Sequence, residues 1–187
     1  PVELGGRTLL IIGFGRIGSR LAPMAQGVGM NVMVYDPYIP RERIEMADCQ
    51  FVQDLRAVLP EIDAITIHTP LTDETRGMIG EEELALLNPS ALIVNTARGG
   101  VVCESALFHA LQAGTVAGAG LDVFEGEPAP PHLDNSLFTL DNVIVSPHCA
   151  GVTAQAAMRM AEHSVQNVLD FLEKKLDPDV VVNGHLM

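Results

Sequence analysis

Three side chains of this sequence have the types and positions needed for acid–base chemistry on a small anionic substrate. Arg98 follows an apolar run and precedes two glycines, so its planar guanidinium can engage a carboxylate and a carbonyl oxygen together. His148 follows another apolar run, and its imidazole can donate or accept a proton near neutral pH. Glu127 can bond the second ring nitrogen and favour the protonated imidazole. A cation, an acid and an orienting group are what reduction of a 2-oxo acid by a hydride requires.

A glycine-rich turn near the start of the sequence has the pattern of a dinucleotide site. The apolar run 8–12 leads into Gly13, Gly15 and Gly18, and Asp36 ends the next apolar run. These glycines permit a tight turn, close approach of the backbone to a pyrophosphate, and close packing of the following helix, whose N terminus attracts phosphate. Asp36 can bond the hydroxyls of the adenosine ribose and repel a 2′-phosphate, which favours NAD over NADP.

The elements that must position these groups alternate along the chain. Strands are predicted near 7–12, 31–35, 63–67, 91–95, 116–121 and 142–145, and helices near 15–28, 53–59, 81–87, 103–113 and 153–175. The runs 64–67 and 91–94 are continuously apolar, as in strands buried on both faces of a parallel sheet. We therefore expect an α/β fold, a doubly wound parallel sheet of the Rossmann type.

Ligands bind at the carboxyl ends of the strands in such a sheet. The polar segments expected at those ends are Gly13–Gly18, Asp36, His68–Pro70, Asn95–Arg98, Asp122 and Ser146–His148. We expect all of them at one edge of the sheet, where they are the candidates for chemistry.

The composition narrows the function classes. The chain has 187 residues, enough for one domain, and a formal net charge of −13, which opposes binding to nucleic acid or to an anionic membrane surface. It has no apolar run of membrane-spanning length, no signal-peptide pattern and no cluster with metal-ligand spacing. Its three cysteines include no CxxC pair, which favours free thiols and a cytoplasmic protein.

Five segments together resemble the D-isomer-specific 2-hydroxyacid dehydrogenases, especially the phosphoglycerate dehydrogenase and glyoxylate/hydroxypyruvate reductase branches. They are Gly13–Gly18, His68–Thr72 with Glu74–Gly77, Asn95–Val101, Gly120–Phe124 with Glu127–Pro128, and Ser146–His148 with Ala150–Gly151. They occur in the family's order over nearly the whole chain. The resemblance implies that Arg98 binds the substrate and that Glu127 pairs with His148, the proton donor.

The resemblance also implies the cofactor and its contacts. NAD would be bound by the glycine turn and by Arg16, Ile17, Asp36, Thr69, Pro70, Thr96, Ala97, Arg98, Asp122, His148 and Gly151. Asp122 matches the family's aspartate that meets the nicotinamide carboxamide. A homodimer formed through the cofactor domain is expected on the same grounds.

The sequence departs from the family pattern in two places. Cys103, ahead of Glu104, stands where the family commonly has an acid, which puts a helix cap in doubt. The substrate-binding domain of about 100 residues that precedes the glycine turn in the family is absent here. We therefore expect residues 1–187 to form a dinucleotide-binding domain, with 153–187 a helix and tail returning toward the absent domain, and we expect NAD binding with poor turnover.

Two other functions compete with a D-2-hydroxyacid dehydrogenase. One is a non-catalytic NAD-sensing module like the co-repressors that resemble the same family, and the other is a formate or phosphite dehydrogenase. Arg98, Glu127 and His148 do not separate these classes, although the acidic composition favours the enzyme. A Cys149–His148 nucleophilic dyad is disfavoured because adjacent residues in an extended segment diverge. His68 is expected to pack near the adenine or to cap a strand end, and not to act in catalysis.

Overall fold

The computed structural model describes residues 3–127 and 136–181. Its strands are β1 Thr8–Ile12, β2 Asn31–Tyr35, β3 Gln50–Phe51, β4 Ala64–Ile67, β5 Leu92–Asn95, β6 Gly118–Leu121 and β7 Val143–Val145. Its α-helices are α1 Gly18–Gly27, α2 Arg41–Glu45, α3 Leu55–Val58, α4 Glu81–Leu86, α5 Glu104–Ala113 and α6 Ala154–Leu172. Short 3-10 helices lie at Leu59–Glu61, Ser136–Thr139 and Pro178–Val180. No helix in this described part of the chain is both long and apolar enough to cross a membrane.

The strands form one parallel sheet in the order β3-β2-β1-β4-β5-β6-β7, which confirms the doubly wound fold. The order reverses between β1 and β4, and such a switch point opens a crevice at the carboxyl ends of the strands. The register pairs Ile12 with both Tyr35 and Ile67, and continues through Asn95 and Leu121 to Val145. The residues that follow these strands therefore lie at one edge of the sheet, as predicted.

Both faces of β1 are buried. Leu10 and Ile12 belong to one cluster of buried apolar side chains, whereas Leu9 and Ile11 belong to another. Alternate residues of a strand point to opposite faces, so apolar side chains pack on both sides of β1. The prediction of continuous burial holds there.

The prediction that apolar strands are buried on both faces is wrong for β5. Leu92 and Val94 remain 42% and 38% exposed, while Ile93 is buried. Ile144 of β7 is 79% exposed. Val94 and Ile144 lie on the same face of the sheet as Ile11, which α1 covers, yet they stay exposed at β5 and β7. An apolar sequence in a strand therefore does not by itself imply burial.

The boundaries lie within three residues of the predictions, and β2 matches its prediction at both ends. Two short elements, α2 and β3, were missed, because five and two residues are too few to show a periodicity. α1 begins at Gly18 instead of residue 15, since Gly15–Ile17 belong to the preceding turn. The predicted Pro-rich motif at Pro128 and the tail beyond residue 181 lie outside the described residues.

The chain divides into two compact units, one ending at His148 and the other beginning at Cys149. In the second unit, Thr153 caps α6 by accepting a hydrogen bond from the N–H of Ala156 at 3.0 Å. Every described side chain of α6 is at least partly exposed. Cys49 is buried, Cys103 is half-buried and Cys149 is exposed, and none of the three forms a disulfide bond in the described part of the chain.

Asp63 joins the starts of two central strands. Its Oδ2 accepts a hydrogen bond from Thr8 N–H at 2.8 Å and its Oδ1 from Arg7 at 2.7 Å. The Thr8 N–H, helped by Arg7, lowers the pKa of Asp63 against the opposing effect of burial. A lowered folded-state pKa stabilises the fold above the unfolded-state value, and this stability is lost as pH falls through the folded-state value.

We therefore expect Asp63→Ala to lower the free energy of unfolding by about 1–2 kcal/mol at pH 7. The difference from the wild type should shrink as pH falls below about 4, because the carboxylate is protonated first in the unfolded state and then, at lower pH, in the folded state. Urea unfolding at pH 7 and pH 3.5 measures this, with Glu61→Gln, an exposed acid two residues earlier, as control. A difference that does not change with pH would contradict it.

Candidate active site

The turn after β1 has no room for side chains at two of its glycines. A Cβ on Gly13, whose φ is +94°, would lie 2.8 Å from the backbone of His68 and 2.9 Å from Cγ2 of Thr69. A Cβ on Gly18 would lie 2.1 Å from the carbonyl oxygen of Gly13. These contacts hold the end of β1 against the end of β4 and the start of α1 against the turn.

The space beside this turn fits a dinucleotide. Nothing lies within 4 Å of the Cβ position of Gly15, so a ligand can approach the backbone there. Ile17, the N-cap of α1, makes no side-chain capping bond, and the N terminus of a helix carries a partial positive charge that attracts anions. Thr69 Oγ1 is buried without a hydrogen-bond partner among the described residues. An anion-binding turn and an unpaired buried hydroxyl suit the phosphates and polar groups of NAD.

Asp36 faces this turn directly. Its Oδ2 accepts a hydrogen bond from Phe14 N–H at 2.7 Å, and its Oδ1 accepts one from Tyr38 N–H at 2.9 Å. A carboxylate offers about four lone-pair sites, so it retains acceptor capacity for ribose hydroxyls. The sequence prediction placed Asp36 correctly but did not identify its bond to the glycine turn.

A cavity of about 620 Å³ opens beside Asp36. It is lined by Gly13, Gly15, Tyr35–Tyr38, His68–Pro70, Thr72–Thr75 and Met78. His68 bonds Thr66 Oγ1 at 3.0 Å, and burial lowers the pKa of its imidazole, which favours the neutral form. The predicted residues Thr69 and Pro70 both line this cavity.

His148 and Glu127 lie against each other, as the sequence predicted. Nδ1 of His148 is 2.5 Å from Oε2 of Glu127, and Oε1 of Glu127 accepts a hydrogen bond from Phe124 N–H at 2.8 Å. The bond at Nδ1 leaves Nε2 to face a reacting group. His148 has a φ of +51°, in the left-handed region that few non-glycine residues adopt and that recurs at functional sites.

Asn95, which was expected at the sheet edge but given no role of its own, shapes the loop that carries Arg98. Its buried side chain accepts a hydrogen bond from Ala97 N–H at 3.0 Å and donates one to the Arg98 carbonyl at 2.9 Å. An asparagine that bonds its own backbone two residues on is typical of a turn, and this was the signal for it. Thr96 and Ala97 are half-buried in the loop, and the exposed Arg98 guanidinium bonds the Ala97 carbonyl at 2.6 Å.

Gly99 brings the arginine loop against the loop that holds Glu127. A Cβ on Gly99 would lie 2.0 Å from both the carbonyl carbon and the carbonyl oxygen of Phe124. Phe124 is also the residue whose N–H holds Glu127. The three predicted catalytic residues are therefore linked: Arg98 through its neighbour Gly99 to Phe124, and Phe124 through Glu127 to His148.

Asp122 and Ser146 fix the segment that leads to His148. Asp122 is buried at the end of β6, and its Oδ1 accepts a hydrogen bond from Ser146 Oγ at 2.5 Å. His148 N–H donates to the Ser146 carbonyl at 3.1 Å. Asp122 therefore lies at the same sheet edge as the acid–base pair and positions the backbone of the histidine.

The other predicted contacts are at the surface. Arg16 and Ile17 are exposed in the turn before α1, and Ile17 is 64% exposed. Gly151 is exposed in the second unit, three residues before α6. Their contacts with a cofactor stay predictions.

The comparison with protein families decides the assignment. A family model described as "D-isomer specific 2-hydroxyacid dehydrogenase, NAD binding domain" matches residues 1–150. The chain belongs to this family. Its cofactor is NAD, in agreement with the geometry of the turn and with the prediction from sequence.

Relatives in this family support the same assignment. The chain is 43% identical to the D-3-phosphoglycerate dehydrogenase of Methanocaldococcus jannaschii over 180 residues, 96% of this chain and 34% of that protein. It is 45% identical to the glyoxylate reductase of Korarchaeum cryptofilum over 179 residues, 96% of this chain and 53% of that protein. The chain therefore spans between a third and about half of the length of these relatives.

A solved structure shows the same fold. D-lactate dehydrogenase from Aquifex aeolicus, complexed with NAD and lactic acid, superposes with a TM-score of 0.83 at 37% identity. The match covers 93% of this chain and 56% of that one. The names of these relatives do not favour the co-repressor or the formate and phosphite alternatives.

Cys103, which stands where the family commonly has an acid, does not cap the helix that follows it through its side chain. Cys103 is the N-cap of α5 but makes no capping bond, as the sequence suggested. Glu125 supplies the acceptor instead, since its Oε1 lies 3.3 Å from Glu104 N, and Oε1 of Glu104 accepts a bond from Glu125 N–H at 2.5 Å. The start of α5 is thus tied to the loop that carries Glu127.

Proposed function

We propose that this chain is the cofactor domain of an NAD-dependent dehydrogenase that interconverts a D-2-hydroxy acid and a 2-oxo acid. The single observation that carries the proposal is the His148–Glu127 contact at 2.5 Å at the sheet edge of an NAD-binding fold. The dehydrogenases and reductases among its relatives support the reaction class.

In this proposal each residue has a distinct role. NADH, when bound, supplies the hydride that reduces the substrate carbonyl. Arg98 binds the substrate carboxylate and polarises the carbonyl oxygen. His148 donates its Nε2 proton to the oxygen as negative charge develops, and Glu127 stabilises the imidazolium through Nδ1. In the reverse direction His148 accepts the proton of the hydroxyl group.

The wider organisation is part of the proposal. Residues 1–187 form the dinucleotide-binding domain, and 153–187 lead toward a substrate-binding domain, which the greater length of the relatives supports. A homodimer and a cytoplasmic location complete the proposal, and the location is supported by three cysteines that form no disulfide bond among the described residues. Size-exclusion chromatography with light scattering tests the dimer.

The proposed function is tested by cofactor binding and by Arg98→Lys. We expect the chain to bind NADH in a calorimetric titration and to oxidise it slowly with glyoxylate or pyruvate, measured with the chain in excess over NADH. Lysine cannot form the paired bonds of a guanidinium, so Arg98→Lys should raise the 2-oxo acid concentration at half-maximal rate by about 10- to 100-fold.

Arg41→Lys is the matched control, because Arg41 lies on α2 and pairs with Glu45 on the same helix. It should leave the half-maximal concentration unchanged. Binding of NADH with no oxidation by any 2-oxo acid would favour the NAD-sensing module instead. Reduction of NAD by formate or phosphite, with no reaction between NADH and a 2-oxo acid, would favour the formate or phosphite dehydrogenase branch.

A further inference from the structure

Three carboxylates are among the side chains that line the cavity beside Asp36. They belong to Asp36, Asp73 and Glu74, and no lysine or arginine is among the described residues that line this cavity. His68 adds no positive charge, because burial lowers its pKa and favours the neutral ring. A ligand group that enters here meets negative charge without a compensating cation.

Asp36 is held in a fixed orientation by the backbone. Each of its oxygens accepts one N–H, from Phe14 at 2.7 Å and from Tyr38 at 2.9 Å. The carboxylate therefore cannot turn away from an incoming ribose without losing a charge-assisted hydrogen bond.

Tyr38 connects Asp36 to Glu74. Its backbone N–H bonds Asp36, and its phenol donates a hydrogen bond to Oε2 of Glu74, 36 residues further along the chain. The hydrogen bond to Glu74, and then the charge of that carboxylate, raise the pKa of Tyr38, so the phenol remains a donor at neutral pH. One residue thus bonds two of the carboxylates that line the cavity.

The loop that carries Glu74 is itself ordered by hydrogen bonds. Thr75 is buried, and its Oγ1 donates to the Pro70 carbonyl at 2.6 Å and accepts from Thr72 N–H at 2.8 Å. Thr72 Oγ1 lies 3.3 Å from Thr75 N. The backbone on both sides of Glu74 is therefore constrained, and its carboxylate is positioned at its base as well as at its tip.

We propose that Glu74, held by Tyr38, is a second specificity-determining carboxylate, so that Asp36 and Glu74 together select NAD over NADP. This inference rests on the NAD binding of the proposed function. A 2′-phosphate adds about two negative charges where NAD has a neutral hydroxyl. The Debye length is about 8 Å at physiological ionic strength, so a carboxylate across the same cavity repels that phosphate with little screening.

A consequence is that removing the charge of Asp36 alone leaves the selection incomplete. Asp36→Asn eliminates one charge and gives up one of the two backbone N–H bonds, since an amide nitrogen cannot accept it, but Glu74 still lines the same cavity. The double variant Asp36→Asn/Glu74→Gln is expected to bind NADPH more tightly than Asp36→Asn alone.

The test is a set of calorimetric titrations of the full chain with NADH and with NADPH. In the Asp36→Asn background, Glu74→Gln should strengthen NADPH binding by about three- to fivefold, the effect of one partly exposed charge, and change NADH binding less. In the same background, Tyr38→Phe removes the hydrogen bond to Glu74 but keeps the ring. It should also strengthen NADPH binding, by less than Glu74→Gln does. The gain should shrink in about 0.5 M NaCl, because salt screens the repulsion.

Glu61→Gln is the control for net charge. Glu61 is exposed and precedes β4, at the opposite edge of the sheet from the cavity. The substitution Glu61→Gln therefore removes one negative charge without changing a residue that lines the cavity. It should leave the ratio of NADPH to NADH affinity unchanged.

The results separate this inference from the proposed function. If the wild type binds no NADH, the proposed function fails. If NADH binds normally and Glu74→Gln either leaves NADPH binding unchanged or strengthens both nucleotides equally, only the inference is overturned. An equal effect of Glu61→Gln would also overturn it, since net charge alone would then explain the selection.

Discussion

Replacing His148 by asparagine is expected to lower the rate of NADH oxidation by a 2-oxo acid by about 10³-fold, within the range for loss of a general acid. The Nδ1 atom of His148 is 2.5 Å from Glu127, so the ring is oriented with Nε2 available as proton donor. Asparagine is close to imidazole in polarity but has no acidic proton to give to the forming alkoxide. The rate is measured with the chain in excess over NADH, so that slow turnover can be followed.

Two further variants make this result specific. Glu127→Gln keeps a hydrogen-bonding partner for Nδ1 but removes the charge that stabilises the imidazolium, and it should cost about 10²-fold. His163→Asn makes the same substitution at an exposed histidine of α6 and should leave the rate unchanged. If His148→Asn retained most of the activity while NADH still bound, another group would have to supply the proton.

The large features of the fold could be predicted because they follow from local pattern. Continuous apolar runs marked six of the strands, and the alternation with helices indicated the doubly wound sheet. β3 could not be found in this way, since Gln50–Phe51 is a strand only through its pairing with Met33 and Val34. The exposure of Leu92 and Val94 was equally hidden, because hydrophobicity does not say which side of a strand is covered.

The candidate site also has features that follow from local sequence and features that depend on tertiary contacts. The glycine turn, Asp36 and the His148–Glu127 pair follow from residue type and motif, and the structure brings them to one sheet edge. The contact of Tyr38 with Glu74, 36 residues apart, depends on how loops fold back, which no spacing encodes. The close approach of backbone beside Arg98 was expected from its glycines, but Phe124 as the partner was not.

Gly99→Ala is expected to damage both stability and activity through this contact. The new Cβ would lie 2.0 Å from the carbonyl carbon and oxygen of Phe124, and backbone cannot yield as the end of a flexible side chain can. Either the arginine loop or the Phe124 loop must move. Overpacking of this kind costs about 3 kcal/mol, so the midpoint of urea unfolding should fall clearly.

The effect on catalysis follows from what Phe124 holds. Its N–H donates to Glu127 at 2.8 Å, so a displaced Phe124 moves Glu127 and with it the ring of His148. A misplacement of about 1 Å at the reacting groups can cost about 10²-fold in rate. NADH binding at the glycine turn, which involves different strands, should be affected less than the rate.

Gly120→Ala is the matched control for Gly99→Ala. Gly120 lies in β6 near the same sheet edge, and a Cβ there would meet Val94 Cγ2 at 3.8 Å, an ordinary van der Waals contact. It should unfold within about 0.5 kcal/mol of the wild type, as substitutions away from strained or tightly packed positions do. If Gly99→Ala were as stable and as active as Gly120→Ala, the two loops would not be in contact, and the link from Arg98 to His148 through Phe124 would be wrong.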